Sequence, residues 1–191
     1  MTNFLHDAEF NTESWRRRHS PEAIKQLGVW RWKGIQDNAV MILSEIVGKR
    51  VIDFGGADGP LGFGSEILDQ KNEGNNPVYA YQTVDVIFSS HTLEHIGSIE
   101  KLLSTFKDWL KSGGCLIVHV PSYTCVRWRA ENYSNPNQSE NHHHTFSLHI
   151  SPIFLDHPVE VIDITLKKLG FNIEFAEYVG DDSILILGRK K

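Results

Sequence analysis

Val51-Ile52-Asp53-Phe54-Gly55-Gly56-Ala57-Asp58-Gly59-Pro60 is the stretch whose reading decides the fold. A short apolar run ends in an acid and passes at once into a glycine-dense turn, as when a buried parallel strand hands its C-terminal end to a ligand-binding loop. Glycine admits positive φ and lets a ligand lie against main chain where a Cβ would collide. Pro60 suits the first turn of a following helix, because the amide it lacks would have no partner there. An ordinary tight turn in an α/β protein would use the same residues, so the flanking sequence has to decide.

Downstream, Ser65-Glu66-Ile67-Leu68-Asp69 reads as a second short strand that again ends in an acid. Lys71-Asn72-Glu73-Gly74-Asn75-Asn76-Pro77 is turn chemistry throughout, and Val78 to Gln82 is either a brief strand or an extended connection. Val84-Asp85-Val86-Ile87-Phe88 is a buried strand opening into Ser89-Ser90-His91. A helix is expected from about His91, bent near Gly97 and resuming at Ile99. Ile99, Leu102, Leu103, Phe106, Trp109 and Leu110 keep helical spacing. Lys111-Ser112-Gly113-Gly114 should end that helix, with Cys115 to Val120 following as a strand closed by Pro121.

From Ser122 to about Phe146 the sequence is loop-like, and connections of that length are usually lids, binding loops or disordered segments. Pro158 to Leu169 reads as an amphipathic helix stopped by Gly170. Phe171 to Tyr178 and Ser183 to Gly188, around Gly180-Asp181-Asp182, read as a closing antiparallel hairpin. Strands separated by helices predict an α/β fold, a parallel sheet with helices on both faces.

Residues 1–50 read as a helical extension or lid ahead of a domain spanning 51–191. Ser20-Pro21-Glu22 has the composition of a helix start, and Asn38 to Val47 that of a largely buried helix stopped by Gly48. Trp15, Arg16, Arg17, Arg18, His19, Trp30, Arg31, Trp32 and Lys33 are either packed and solvated lid residues or an anion-recognising lip.

The 191 residues, 40% hydrophobic and 23% charged, suit one globular domain with a substantial core. A net charge of −5 argues against general electrostatic binding of nucleic acid. No apolar run approaches membrane-spanning length and the N-terminus lacks a signal-peptide layout, so the cytoplasm is the expected compartment. Cys115 and Cys125 make no disulfide framework, and Cys115 reads as a buried thiol.

The succession of the glycine turn, "SSHTLEHI" over Ser89 to Ile96, "WLKSGGCLIVHVPS" over Trp109 to Ser122 and the final hairpin resembles the Rossmann-like S-adenosylmethionine-dependent methyltransferases, in particular the type 11 group. The resemblance covers roughly residues 50 to 190. It implies a mostly parallel sheet with a C-terminal antiparallel hairpin, shortened here between the family's first and fourth strands. It implies S-adenosyl-L-methionine as cofactor and a small-molecule acceptor. Asp53, Gly55, Gly56, Ala57 and Gly59 match the turn that cradles the cofactor's methionine part, with Ala57 in place of the middle glycine. Asp69 matches the acid that binds the ribose hydroxyls, with Glu66 and Glu73 as fallbacks. Ser89, Ser90 and His91 match the positions lining the cofactor pocket.

The sulfonium already activates the methyl group, so the protein's task is alignment and, for a hydroxyl acceptor, removal of a proton. Histidine suits that step near neutral pH. In Asn141-His142-His143-His144-Thr145-Phe146-Ser147, His144 is the candidate base. Tyr123, Arg127, Trp128 and Arg129 could shape an acceptor pocket suited to a sugar or a phosphate-bearing metabolite. Two other readings use the same residues: a methyltransferase-like binding module without activity, and a zinc protease through His91-Thr92-Leu93-Glu94-His95 with Glu174 as a further ligand. The leading reading needs no metal, and no cysteine or carboxylate pattern supports one at the histidine triplet.

Overall fold

The computed structural model describes residues 27–69, 79–126, 129, 142–150 and 159–191. The readings placed on residues 1–26, on 70–78, and on Arg127, Trp128 and Pro158 lie outside the described residues. In chain order the elements are α1 (Lys33–Asp37), α2 (Ala39–Ile46), β1 (Val51–Phe54), β2 (Glu66–Leu68), β3 (Val84–Ser90) and α3 (Ile99–Trp109). They continue with β4 (Leu110–Pro121), β5 (Phe146–Ser147), β6 (Glu160–Val161), α4 (Ile162–Lys168), β7 (Phe171–Val179) and β8 (Ser183–Lys190).

Six strands form one sheet in the order β2-β1-β3-β4-β8-β7. The first four are parallel, and β8 runs antiparallel to both β4 and β7. This is the expected mostly parallel sheet with an antiparallel C-terminal hairpin. The β5–β6 pair is a separate two-residue parallel ladder that the sequence pattern did not announce.

Period-two alternation sorts the strand side chains between two cores. Val86, Phe88, Ile117 and Leu185 face one side and pack with Val29, Ile35, Ile42 and Ile46 of the N-terminal segment. Ile52, Ile87, Leu116 and Ile184 face the other and pack with Leu103 and Phe106 of α3 and Leu166 of α4. Helices therefore cover both faces. α2 is amphipathic rather than largely buried, since Val40 is 79% exposed while Ile42 and Ile46 are sealed. Arg189 on β8 ties α2 to the hairpin, donating to both carboxylate oxygens of Glu45 at 2.9 Å and to Glu174 at 2.6 and 3.1 Å.

Three local expectations give way. No helix starts at Pro60: Gly62, Phe63 and Gly64 all take positive φ, which a right-handed helix excludes. No α-helix starts at His91, whose φ of +49° breaks the chain; a single 3₁₀ turn over Leu93–His95 follows, and α3 begins at Ile99. Lys111 to Gly114 do not cap α3 but bulge from the sheet. Val84 pairs with Leu110 and Val86 with Cys115, and the Lys111 ammonium donates to Asp85 at 2.6 Å across the bulge. The last helix is also shorter than expected, because Glu160 and Val161 pair with β5 before it begins.

Candidate cofactor and acceptor site

The C-terminal ends of β1, β2, β3 and β4 converge on one edge of the sheet, where ligands of open α/β folds sit. At β1 the chain turns through Gly55, which takes φ +82° and donates its amide to Leu68 O at 2.7 Å. That bond holds β2 in register, with Phe54 opposite Leu68. Asp69 therefore stands at the end of β2 beside the glycine turn, the place the resemblance implies. The acid comes early in the sequence because only a 3₁₀ turn over Gly56–Asp58, and no α-helix, stands between β1 and β2. Glu66 is exposed and faces Arg50, and Glu73 lies outside the described residues.

Asp53 is 1% exposed. Its Oδ2 accepts the Leu61 amide at 2.7 Å, while Oδ1 is buried without a hydrogen-bond partner. Burial pushes its carboxyl up to about 6, against the opposing pull of the Leu61 amide. An orphaned carboxylate oxygen at the end of β1 is an acceptor suited to a cationic donor.

At Gly55 and Gly56 the protein's own side chains occupy the space that a Cβ would need. A Cβ on Gly55 would lie 2.0 Å from Thr92 Oγ1, and one on Gly56 would lie 2.2 Å from Asp53 Oδ2. Gly59 is approached by the Arg31 guanidinium, 3.1 Å from where its Cβ would stand. Ala57 keeps negative φ, so replacing the middle glycine costs the turn nothing, and its surface is exposed.

At the mouth of β3, Ser89 is buried inside the sheet with its Oγ unpartnered, and Ser90 Oγ lies 2.9 Å from His119 Nδ1. His119 packs fully buried, as its strand position suggested, and burial holds its imidazole well below the usual range, with His91 adding to the effect. His91 stacks against Trp32 at 4.3 Å between ring centres. Its Nε2 is 3.2 Å from Ser183 Oγ and its Nδ1 is 3.5 Å from Glu94 Oε1. Burial pushes the Glu94 carboxyl up, but His91 and His95 outweigh it and hold the group below the ordinary carboxylate range. The His91 and His95 rings do not share a helix face, so the protease arrangement is absent, and Glu174 is engaged by Arg189.

The histidine triplet docks on the turn after β3. The amides of His143 and His144 donate to Glu94 O at 2.6 and 3.2 Å, and His144 Nε2 lies 2.7 Å from Ile96 O. A carbonyl only accepts, so His144 Nε2 carries the proton and Nδ1 is left as the basic nitrogen. Arg129 donates to Tyr123 O at 2.6 Å, and Tyr123 meets Tyr178 edge-on.

A sequence pattern for a methyltransferase domain matches residues 33–151, more than half of the chain. The chain belongs to the methyltransferase domain family. Its fold is shared with an S-adenosylmethionine-dependent methyltransferase from Mesorhizobium loti, at 14% identity and TM-score 0.54, covering 82% of this chain and 98% of that one. A methyltransferase from Aquifex aeolicus gives 14% identity and TM-score 0.50 over 91% of this chain and 100% of that one. The Burkholderia thailandensis 1,6-didemethyltoxoflavin N1-methyltransferase, solved with its substrate and S-adenosylhomocysteine, gives 13% identity and TM-score 0.54 over 85% and 81%. No curated protein matches the sequence.

This methyltransferase is S-adenosylmethionine-dependent, and its residues fit that cofactor. Asp53 keeps a carboxylate oxygen without a hydrogen-bond partner at the end of β1, and Asp69 follows the adjacent β2. No described helix is long and apolar enough to cross a membrane. Thr92 and Ser183 were missed in the sequence, whereas Arg31 and Trp32 were read there as part of a lid or lip. The two missed residues reach the site through tertiary packing and carry no local signal.

Proposed function

We propose that this methyltransferase alkylates a hydroxyl oxygen of a small-molecule acceptor, a sugar or a phosphate-bearing metabolite. The observation that carries the reading is the pair of carboxylates, Asp53 and Asp69, at the ends of adjacent strands around a left-handed glycine. S-adenosylmethionine supplies the electrophilic methyl when bound. Asp53 would take the ammonium and Asp69 the ribose, with Ala57 and Gly59 offering the outer side of the turn; Ser89, Ser90 and His91 would close the pocket at β3. Residues 27–37 form the described part of a lid, with Trp32 over His91 and Arg31 beside Gly59. Arg31 gives a positive charge at the rim for an anionic acceptor.

His144 Nδ1 is the base in this reading, since its other nitrogen is fixed on Ile96 O. A second reading places the base at His91, favoured by its contact with the buried Glu94 carboxylate. The test is methyl transfer by the purified chain to a panel of sugars and sugar phosphates. His144→Ala should lower turnover about 100-fold or more at unchanged cofactor affinity. Unchanged turnover in that variant with loss in His91→Ala moves the role to His91. Cofactor binding without transfer to any acceptor returns the chain to a binding module.

A further inference from the structure

We propose that Glu94, His95 and His142 bind one divalent transition-metal ion of the zinc type. Among the described residues, these three bring one carboxylate oxygen and two imidazole nitrogens within 4.8 Å of one another. The acid of this group comes from the turn after β3, 48 positions upstream of His142. This inference is independent of the acceptor proposed above.

Glu94 is 1% exposed, and its Oε2 is buried without a hydrogen-bond partner. A buried carboxylate oxygen left unsatisfied is unfavourable, and a cation removes the penalty. The donor set chooses the ion class. Two imidazoles and one carboxylate suit zinc, cobalt or nickel, whereas magnesium and calcium want oxygen ligands.

The ligands are held from both sides by backbone. The His95 amide donates to Thr92 O at 3.1 Å, fixing the turn that carries Glu94 and His95. The amides of His143 and His144 donate to Glu94 O, fixing the segment that carries His142. The His95 and His142 rings meet edge-on at 4.6 Å between centres. Tetrahedral bonds of about 2.0–2.1 Å place ligand atoms about 3.3 Å apart. Closing from at most 4.8 Å to that spacing takes up to about 1.5 Å, shared between side-chain rotations of the ligands. Three protein ligands leave a fourth position for water or an acceptor oxygen, the pattern of sites that keep an exchangeable ligand. The ion would also staple the His142–His144 segment to the turn that follows β3.

The test is titration of the chelator-stripped full chain with Co²⁺, read by visible absorption and followed by competition with Zn²⁺. One equivalent should bind with the intense bands of a four-coordinate ion, and Zn²⁺ should displace it. Glu94→Gln and His95→Ala should each weaken binding at least tenfold, while His143→Ala, which keeps its backbone contact, should not change it. Circular dichroism confirms that each variant is folded; should the buried Glu94 replacement fail, half-buried His95→Ala decides alone. Affinity and stoichiometry unchanged in His95→Ala, or no uptake of Co²⁺ by the parent chain, overturns the site.

Discussion

Replacing Gly55 by alanine separates two reasons for a glycine at the β1 turn. If the bare main chain only receives cofactor, Gly55→Ala should cost the free protein no more than the left-handed backbone itself does. The structure says otherwise. The added Cβ would stand 2.0 Å from Thr92 Oγ1, 2.4 Å from its Cγ2 and 2.7 Å from its Cβ, at a residue with φ +82°. The left-handed backbone alone costs about 1–2 kcal/mol for a residue with a Cβ. Overpacking against Thr92 adds about 1–3 kcal/mol, so a loss of roughly 2–5 kcal/mol is expected. Gly48→Ala is the internal control: its φ is +74° and nothing lies within 4 Å of its Cβ position, so it carries the backbone term only. Urea denaturation without cofactor gives both values from shifts in midpoint at constant slope. A loss in Gly55→Ala no larger than in Gly48→Ala would refute the packing argument.

The remaining expectations concern charge. Asp53 has a folded pKa raised from 3.8 to about 6 by burial, so between those values the folded chain keeps a proton that the unfolded chain has lost. Its contribution therefore falls as pH rises from about 4 through 6, by at most roughly 3 kcal/mol. Asp53→Asn should gain stability relative to the parent across that window, measured by denaturation at several pH values; a constant difference from pH 4 to 7 would contradict it. Glu45 runs the opposite way, its pKa lowered from 4.5 to about 2 by the Arg189 guanidinium. Its stabilisation is complete above the unfolded value and disappears as pH falls through about 2. With side chains 16% and 24% exposed, Glu45→Gln should cost about 1–2 kcal/mol at pH 7 and converge with the parent near pH 2.

The parallel strands and the hairpin were legible because apolar runs bounded by glycine and acids have few other uses in a chain this size. The short strand ahead of Asp69 was legible too, as an apolar pair bounded by acids. The helix expected after Pro60 was not excluded by composition; it fails because Phe63 adopts φ +57° between two glycines, a tertiary choice invisible to propensity. The helix expected at His91 fails for a related reason, that residue taking positive φ and stacking on Trp32, 59 positions away. Separations of 37 and 48 positions hid Thr92 beneath Gly55 and Glu94 beside His142. Side chains that meet across the edge of a sheet leave no period to read.

The most direct test of the account is the affinity of the full chain for S-adenosylhomocysteine by calorimetry, compared between the parent and Asp69→Ala. Asp69 at the end of β2 predicts one binding site in the parent and a loss of at least tenfold, about 1.4 kcal/mol, in the variant. Equal affinities, or no binding by the parent, would contradict the claim that the ends of β1 and β2 hold the cofactor.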